Sequence, residues 1–165
     1  PRAAMRRAMA AAKNAGRKVG FTLSAACVIE RHGADFRAMI ETGEIDILFA
    51  NHVELEALTG HGDFDAGLAE LAPKVPLLVV TRGADGAVAV HEGQRFEVKA
   101  EPIERVVDTT GAGDLFADGF LYGHVRDLAI DQCLTIGAVA AAEIISHYGA
   151  RPEADLKALI KARLG

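Results

Sequence analysis

Asp46-Ile-Leu-Phe-Ala-Asn51 is an unbroken apolar run that ends abruptly on a polar residue. A strand with one face in water alternates apolar and polar positions; a strand covered on both faces does not, so this run reads as a parallel strand inside a sheet. Pro76-Leu-Leu-Val-Val-Thr81 repeats the pattern further along. Between the two runs, His52–Leu58 and Phe64–Ala72 read as helices, the first stopped by Gly60. Two buried strands joined through helices require a crossover connection, so an α/β fold with a mostly parallel sheet is expected.

On the N-terminal side, Pro1–Ala15 reads as a helix with Pro in a tolerated first-turn place and Gly16 as its stop. Val19–Leu23 is a short strand, Ser24 and Ala25 a loop, and Asp35–Glu41 a helix closed by Gly43. On the C-terminal side, Ala87–Val90 and Arg95–Val98 flank His91-Glu92-Gly93 as a hairpin. Val106 and Val107 are expected to end one more strand. Helices are expected at Asp114–Val125, Ile130–Ser146 and Glu153–Arg163, with Gly149 between the last two. Neither linker nor repeat interrupts the 165 residues, and one domain is the simplest expectation.

Half the residues are apolar and a quarter are charged, the balance of a chain that packs a core. A formal net charge of −5 argues against a general nucleic-acid binder, which needs a basic face. No apolar run reaches the roughly 18 residues of a membrane span; the best candidate, Ala138–Ile145, is broken by Glu143. Cys27 and Cys133 are too few and too far apart for a disulfide framework, and read as free thiols in a reducing, cytoplasmic setting. The six histidines show no metal-ligand spacing. A GxxxxGK[ST] loop, GxSxG and HExxH are all missing, and Phe116 stands where a GxGxxG fingerprint would need its third glycine.

Val107-Asp-Thr-Thr-Gly-Ala-Gly-Asp-Leu-Phe-Ala-Asp-Gly-Phe120 remains. It opens a helix after an apolar segment. The amides of Gly111, Ala112 and Gly113 can converge on an anion at the positive end of that helix, and Asp114 in the first turn can accept a proton from an attacking hydroxyl. An ordinary capped helix start would account for the same residues, with Thr110 in the cap and Asp114 matching the dipole. Asn51 and Glu54 likewise form either a ligand-organising pair or a capping-box-like pair, and Thr81-Arg82-Gly83-x-x-Gly86 either contacts a nucleotide or merely turns into the hairpin.

Asp108-Thr-Thr-Gly-Ala-Gly-Asp114-x-Phe116-x-x-Gly119-Phe120 resembles the second signature of the PfkB (ribokinase-like) carbohydrate and nucleoside kinases. Asn51-x-x-Glu54 is similar to that family's NxxE motif, and Thr81-Arg-Gly-x-x-Gly86 to its nucleotide-contacting turn, in the family's order. The tail Ala140-Ala-Ala-Glu-Ile-Ile-Ser-His-Tyr-Gly-Ala-Arg-Pro152 also matches, and with Asp114-Leu-Phe-Ala-Asp-Gly-Phe-Leu-Tyr-Gly123 it looks most like the bacterial adenosine-kinase-like branch. The resemblance implies a ribokinase-like three-layer αβα fold of which this chain is the C-terminal portion, the N-terminal part and its lid lying upstream. The loop after the first strand reads Ser24-Ala25-Ala26 where relatives often carry an Asp, while Arg31 remains.

The activity so implied is ATP-dependent phosphorylation of the hydroxymethyl group of a nucleoside, adenosine-like, or of a sugar. Asp114 would be the base, and Gly111, Ala112 and Gly113 would stabilise the transferring phosphoryl group. Asn51, Glu54, Thr81, Arg82, Gly83 and Gly86 would bind the nucleotide, Glu54 acting on Mg²⁺ through water. A monovalent cation such as K⁺ is implied at Asp108 and Thr110, with carbonyls near Ile144, His147 and Gly149; the alternative for Asp108 is a turn-stabilising acid. The alternatives for the whole are a ribokinase- or fructokinase-type sugar kinase, a kinase of 2-keto-3-deoxy sugar acids, or a nucleotide-binding fragment inactive on its own. A sheet edge left bare by a missing half would pair with another chain, for instance in a homodimer.

Overall fold

The structure is a computed structural model that describes residues 2–165; the helix start expected at Pro1 lies outside them. Five strands form one sheet in the order β1-β2-β3-β4-β5: β1 Gly20–Thr22, β2 Ile47–Asn51, β3 Leu77–Thr81, β4 Ala87–His91 and β5 Gln94–Val98. β1 and β2 are parallel, Gly20 lying against Ile47, Phe21 against Leu48 and Thr22 against Phe49. Leu77 N donates to Asp46 O, which sets the start of β3 beside the start of β2. The two-residue link Glu92-Gly93, both residues at positive φ, folds β4 onto β5 as the expected hairpin. Both decisive runs are buried as expected: Ile47–Ala50 and Leu77–Val80 are each 7% exposed or less. Each fully buried Leu or Val contributes about 1.5–3 kcal/mol of transfer free energy, which outweighs the weak parallel pairing itself.

Helices α1 Arg2–Asn14, α2 Ala26–Glu41, α3 His52–Thr59, α4 Phe64–Leu71, α5 Ala112–His124, α6 Ile130–Ile144 and α7 Leu156–Leu164 complete the element order. Most expected segments shift by one to three residues at their ends, α7 beginning at Leu156 rather than Glu153, and two differ more. The helix expected from Asp35 begins at Ala26, because α2 runs straight through Gly33, which lies on its buried face with Ile29, Phe36, Met39 and Ile40. Its start carries no side-chain cap at Ala25, so the sequence holds no start signal there. Val106 and Val107 end no strand: Val106 is exposed, and Val107 N donates to Ile145 O just past the end of α6.

The contacts gather into two compact units, one running to Val80 and including Val90–Arg95, the other comprising Thr81–Ala89 and Phe96–Gly165. In the first unit, Asp46 at the entry to β2 accepts from Lys13 Nζ at 2.7 Å and from Val19 N at 2.6 Å, which ties α1 and the approach to β1 onto the sheet. The Arg37 guanidinium donates to the Leu58 carbonyl in the last turn of α3, where positive charge meets the negative helix end. In the second unit, α5 and α6 pack unusually close. A Cβ on Gly119 would lie 2.9 Å from Ile136 O, and one on Gly137 would lie 2.8 Å from Phe116 O. Phe116, Phe120, Leu134, Ile136 and Ala140 of these two helices are buried. Among the described residues no helix is long and apolar enough to cross a membrane, and Cys27 and Cys133 are free thiols.

Candidate active site

In the first unit, Asn51 is both the last residue of β2 and the N-cap of α3. Its Oδ1 accepts from Glu54 N at 2.9 Å, and Glu54 Oε2 accepts from Asn51 N at 3.0 Å, a complete capping box. Glu54 is 5% exposed. Burial pushes its carboxyl above the usual carboxylate range, opposed by the Asn51 N–H. The pair is therefore rigid, and the buried carboxylate gains from any cation brought to it.

In the second unit, Thr81 ends β3 and Arg82 to Gly86 form a tight turn, closed by Arg82 N donating to Gly86 O at 2.7 Å. The Arg82 guanidinium reaches Asp85 O at 3.3 Å and Glu97 Oε2 at 3.5 Å, so it braces the turn against β5. Gly86 has φ 87°, and a Cβ there would sit 2.0 Å from Val98 O. The close approach that this glycine permits is thus to the chain's own backbone at Val98–Ala100. Gly83 is exposed, with open space where a Cβ would stand.

Gly111 is the N-cap of α5, at φ 81° and ψ 0°, a conformation in which L side chains are strained. No side chain caps this helix, whereas Asn51, Asp63 and Asp155 cap α3, α4 and α7. Helical first-turn amides have no partner within their helix, and Gly113 and Asp114 stand exposed in that turn. A Cβ on Gly113 would meet nothing within 4 Å. The helix begins at Ala112, two residues earlier than the expected Asp114, and Asp114 is the acidic residue of its first turn.

Asp108 organises the approach to this turn. Its Oδ1 accepts from Thr110 N at 2.9 Å and Thr110 Oγ1 at 2.7 Å, and its Oδ2 accepts from Gly149 N at 3.2 Å. The Thr110 hydroxyl, the Thr110 amide and the Gly149 amide hold the Asp108 carboxyl below its usual range. Of the residues expected at a cation site, Asp108, Thr110 and Gly149 are therefore in contact, and Ile144 is buried at the end of α6. The ligand expected at His147 is its carbonyl; its side chain meets Glu143, Nε2 lying 3.3 Å from Oε1. A hydrogen bond with Tyr148 O, then Glu143 and Glu153, holds the His147 imidazolium above its ordinary range. Among the described residues, no three His, Cys, Asp or Glu side chains gather into a metal cage.

Glu143 was not singled out as a site residue by sequence reasoning. Its signal was an acid inside the apolar run 138–145, where a helix with a fully apolar face has no use for one. It lines an open groove of about 810 Å³ together with Ile103, Val139, Ala142 and Leu159.

The model of the pfkB family carbohydrate kinases matches residues 1–156. A cytidine kinase from Thermococcus kodakarensis is 38% identical over 108 residues, covering 64% of this chain and 38% of that protein. The crystal structure of adenosine kinase from Sinorhizobium meliloti superposes with a TM-score of 0.92 at 38% identity, covering 98% of this chain and 49% of that one. A probable sugar kinase from Rhizobium etli gives a TM-score of 0.91 at 37% identity, covering 94% and 48%. The chain thus spans less than half the length of each. The fold of these solved neighbours is the ribokinase-like α/β fold expected, with its mostly parallel sheet. With the Asp108–Phe120 signature at the uncapped start of α5 and a family match over nearly its whole length, the chain belongs to the pfkB family of carbohydrate kinases.

Proposed function

We propose that this chain supplies the phosphoryl-transfer half of an ATP-dependent kinase that phosphorylates the hydroxymethyl group of a nucleoside, adenosine-like, or of a sugar. The observation that carries the reading is the start of α5: a left-handed Gly111, no side-chain cap, open space over Gly113 and an exposed Asp114. A helix start so arranged offers its amides to an anion and a carboxylate to a hydroxyl.

In this reading the substrate oxygen attacks the γ-phosphorus of ATP, its proton passes to an Asp114 carboxylate oxygen, and ADP leaves. The amides of Gly111, Ala112 and Gly113 are proposed to meet the charge that develops on the transferring group, Ala112 N sharing a proton that it also gives to Thr109 O at 3.2 Å. Thr81, Arg82, Gly83 and Gly86 bound the nucleotide: Gly83 is open to a ligand, while Arg82 and Gly86 hold the shape of the turn. Mg²⁺ bound with the nucleotide would neutralise phosphate charge. Such a site commonly supplies one or two carboxylates and leaves the remaining positions to phosphates and water, which fits a single buried Glu54 steadied by Asn51. Asp108, Thr110 and the neighbouring Ile144, His147 and Gly149 segment are proposed to hold a monovalent cation such as K⁺. The free thiols fit a cytoplasmic enzyme, and β1, at the end of the strand order, offers an edge for a second copy or an upstream segment.

The test is a panel: the intact protein with ATP and Mg²⁺ against adenosine, cytidine, ribose, fructose and a 2-keto-3-deoxy sugar acid, with ADP and phosphorylated product both measured. Stoichiometric ADP and a nucleoside 5′-phosphate are expected. Turnover of a sugar alone moves the substrate class to sugars, and a folded protein that phosphorylates none of them overturns the kinase reading.

A further inference from the structure

The segment between α6 and α7 has no regular secondary structure from Ile145 to Asp155, yet both of its faces are fixed. One face is held by Glu143 in the last turn of α6. Glu143 Oε1 accepts from Glu153 N and Ala154 N, each at 2.8 Å, and lies 3.3 Å from His147 Nε2. The Glu143 side chain is 7% exposed, and its Oε2 is buried without a hydrogen-bond partner. The other face meets the phosphate-loop candidate. Gly149 N donates to Asp108 Oδ2, and the Ala150 Cβ would lie 3.1 Å from a Cβ placed on Gly111.

We propose that Glu143 is a positioning residue for the α5 start. Its buried carboxylate clamps the Ser146–Ala154 segment, that segment clamps the Asp108–Gly111 turn, and the turn fixes where the first amides of α5 and Asp114 stand. Each link is a contact already named, and all lie in one compact unit. A buried carboxylate oxygen left without a partner costs free energy. Its retention is understandable where the other oxygen organises two backbone amides and a histidine, none of which an apolar residue could hold. A groove of about 810 Å³ lies beside Glu143 and is lined by Ser146, His147, Glu153 and Ala154 of the segment, so that side of it is open rather than closely packed. A carboxylate is better suited than a hydroxyl because its charge strengthens each N–H···O bond.

The inference rests on the kinase reading for its catalytic consequence but not for the clamp itself, and the experiment separates the two. Glu143→Ala and Glu143→Gln are made in the intact protein. Amide hydrogen exchange is followed at Thr110, Gly149, Glu153 and Ala154, and kcat and KM are measured for ATP and for the accepted alcohol. Glu143→Ala is expected to lose protection at all four amides and to lower kcat by about 10²-fold, the scale of a small misplacement of reacting groups. Glu143→Gln, which retains an acceptor for the two amides, is expected to recover the protection and most of the kcat. Retained protection at Gly149 and Thr110 in Glu143→Ala overturns the clamp. So does a loss of activity that only follows the loss of folded protein and that Gln does not rescue. Protection lost as expected in a protein that phosphorylates nothing upholds the clamp and sinks the kinase reading instead.

Discussion

Glu54 completes the capping box with Asn51 as the third helical residue, and the proposed function gives the same buried carboxylate a second role toward Mg²⁺. Gln at this place keeps the hydrogen bond to Asn51 N and removes the charge whose burial is unfavourable. Glu54→Gln should therefore melt at or above the temperature of the parent while needing markedly more Mg²⁺ for half-maximal turnover. Glu54→Ala should lose the Glu54 half of the box as well, while Asn51 Oδ1 still caps the residue-54 amide, and should melt below Glu54→Gln. Thermal unfolding and Mg²⁺ titration of the two variants check this, and an unchanged Mg²⁺ requirement in Glu54→Gln confines the residue to capping. The capping pair was legible in the sequence because Asn and Glu three apart are a local signal. The burial of Glu54 was not, since it depends on what covers α3.

At the scale of elements, the strands β2 and β3 were legible because a run of apolar residues without alternation admits few other readings. The start of α2 was not legible, because tertiary packing of Ile29, Gly33 and Phe36 carries the helix past a glycine and an uncapped end. The Glu143 clamp was hidden for a similar reason: its partners are backbone amides that no residue type announces. The α5–α6 contact is a stringent element. The Phe116 carbonyl and ring stand 2.8 Å and 3.1 Å from where a Gly137 Cβ would be, and backbone cannot yield cheaply. Gly137→Ala should cost about 1–3 kcal/mol by overpacking and appear as a lowered Tm. The attachment of α1 to the sheet has a pH signature. Burial alone would raise the Asp46 carboxyl, but the Lys13 ammonium and the Val19 N–H outweigh it and hold the group below its ordinary 3.8. A depressed carboxyl contributes stability above its unfolded value and loses it as pH falls through the folded value. Asp46→Asn should thus unfold more easily than the parent at neutral pH, and the difference should close below pH 3.8 in thermal melts run across the acid range.

Across the whole molecule, each motif lies at a terminus of an element: Asn51 and Thr81 at strand ends, Gly111–Asp114 at a helix start. Termini of this kind carry free backbone groups and little bulk, which is why ligand-contacting motifs are found there. The choice of alcohol was not legible, because nothing among these residues distinguishes a ribose from a nucleoside, and the chain spans only about half of its solved neighbours. The central claim concerns Asp114, and it is tested by measuring kcat and Tm together for Asp114→Asn in the intact protein. Asn keeps the shape but cannot take the proton. If Asp114 is the base, kcat falls by roughly 10²–10⁴ while nucleotide affinity, which rests on backbone amides, changes little. If Asp114 only matches the helix dipole, stability drops by about 0.3–1 kcal/mol. Near-parent turnover with a lowered Tm would contradict the account.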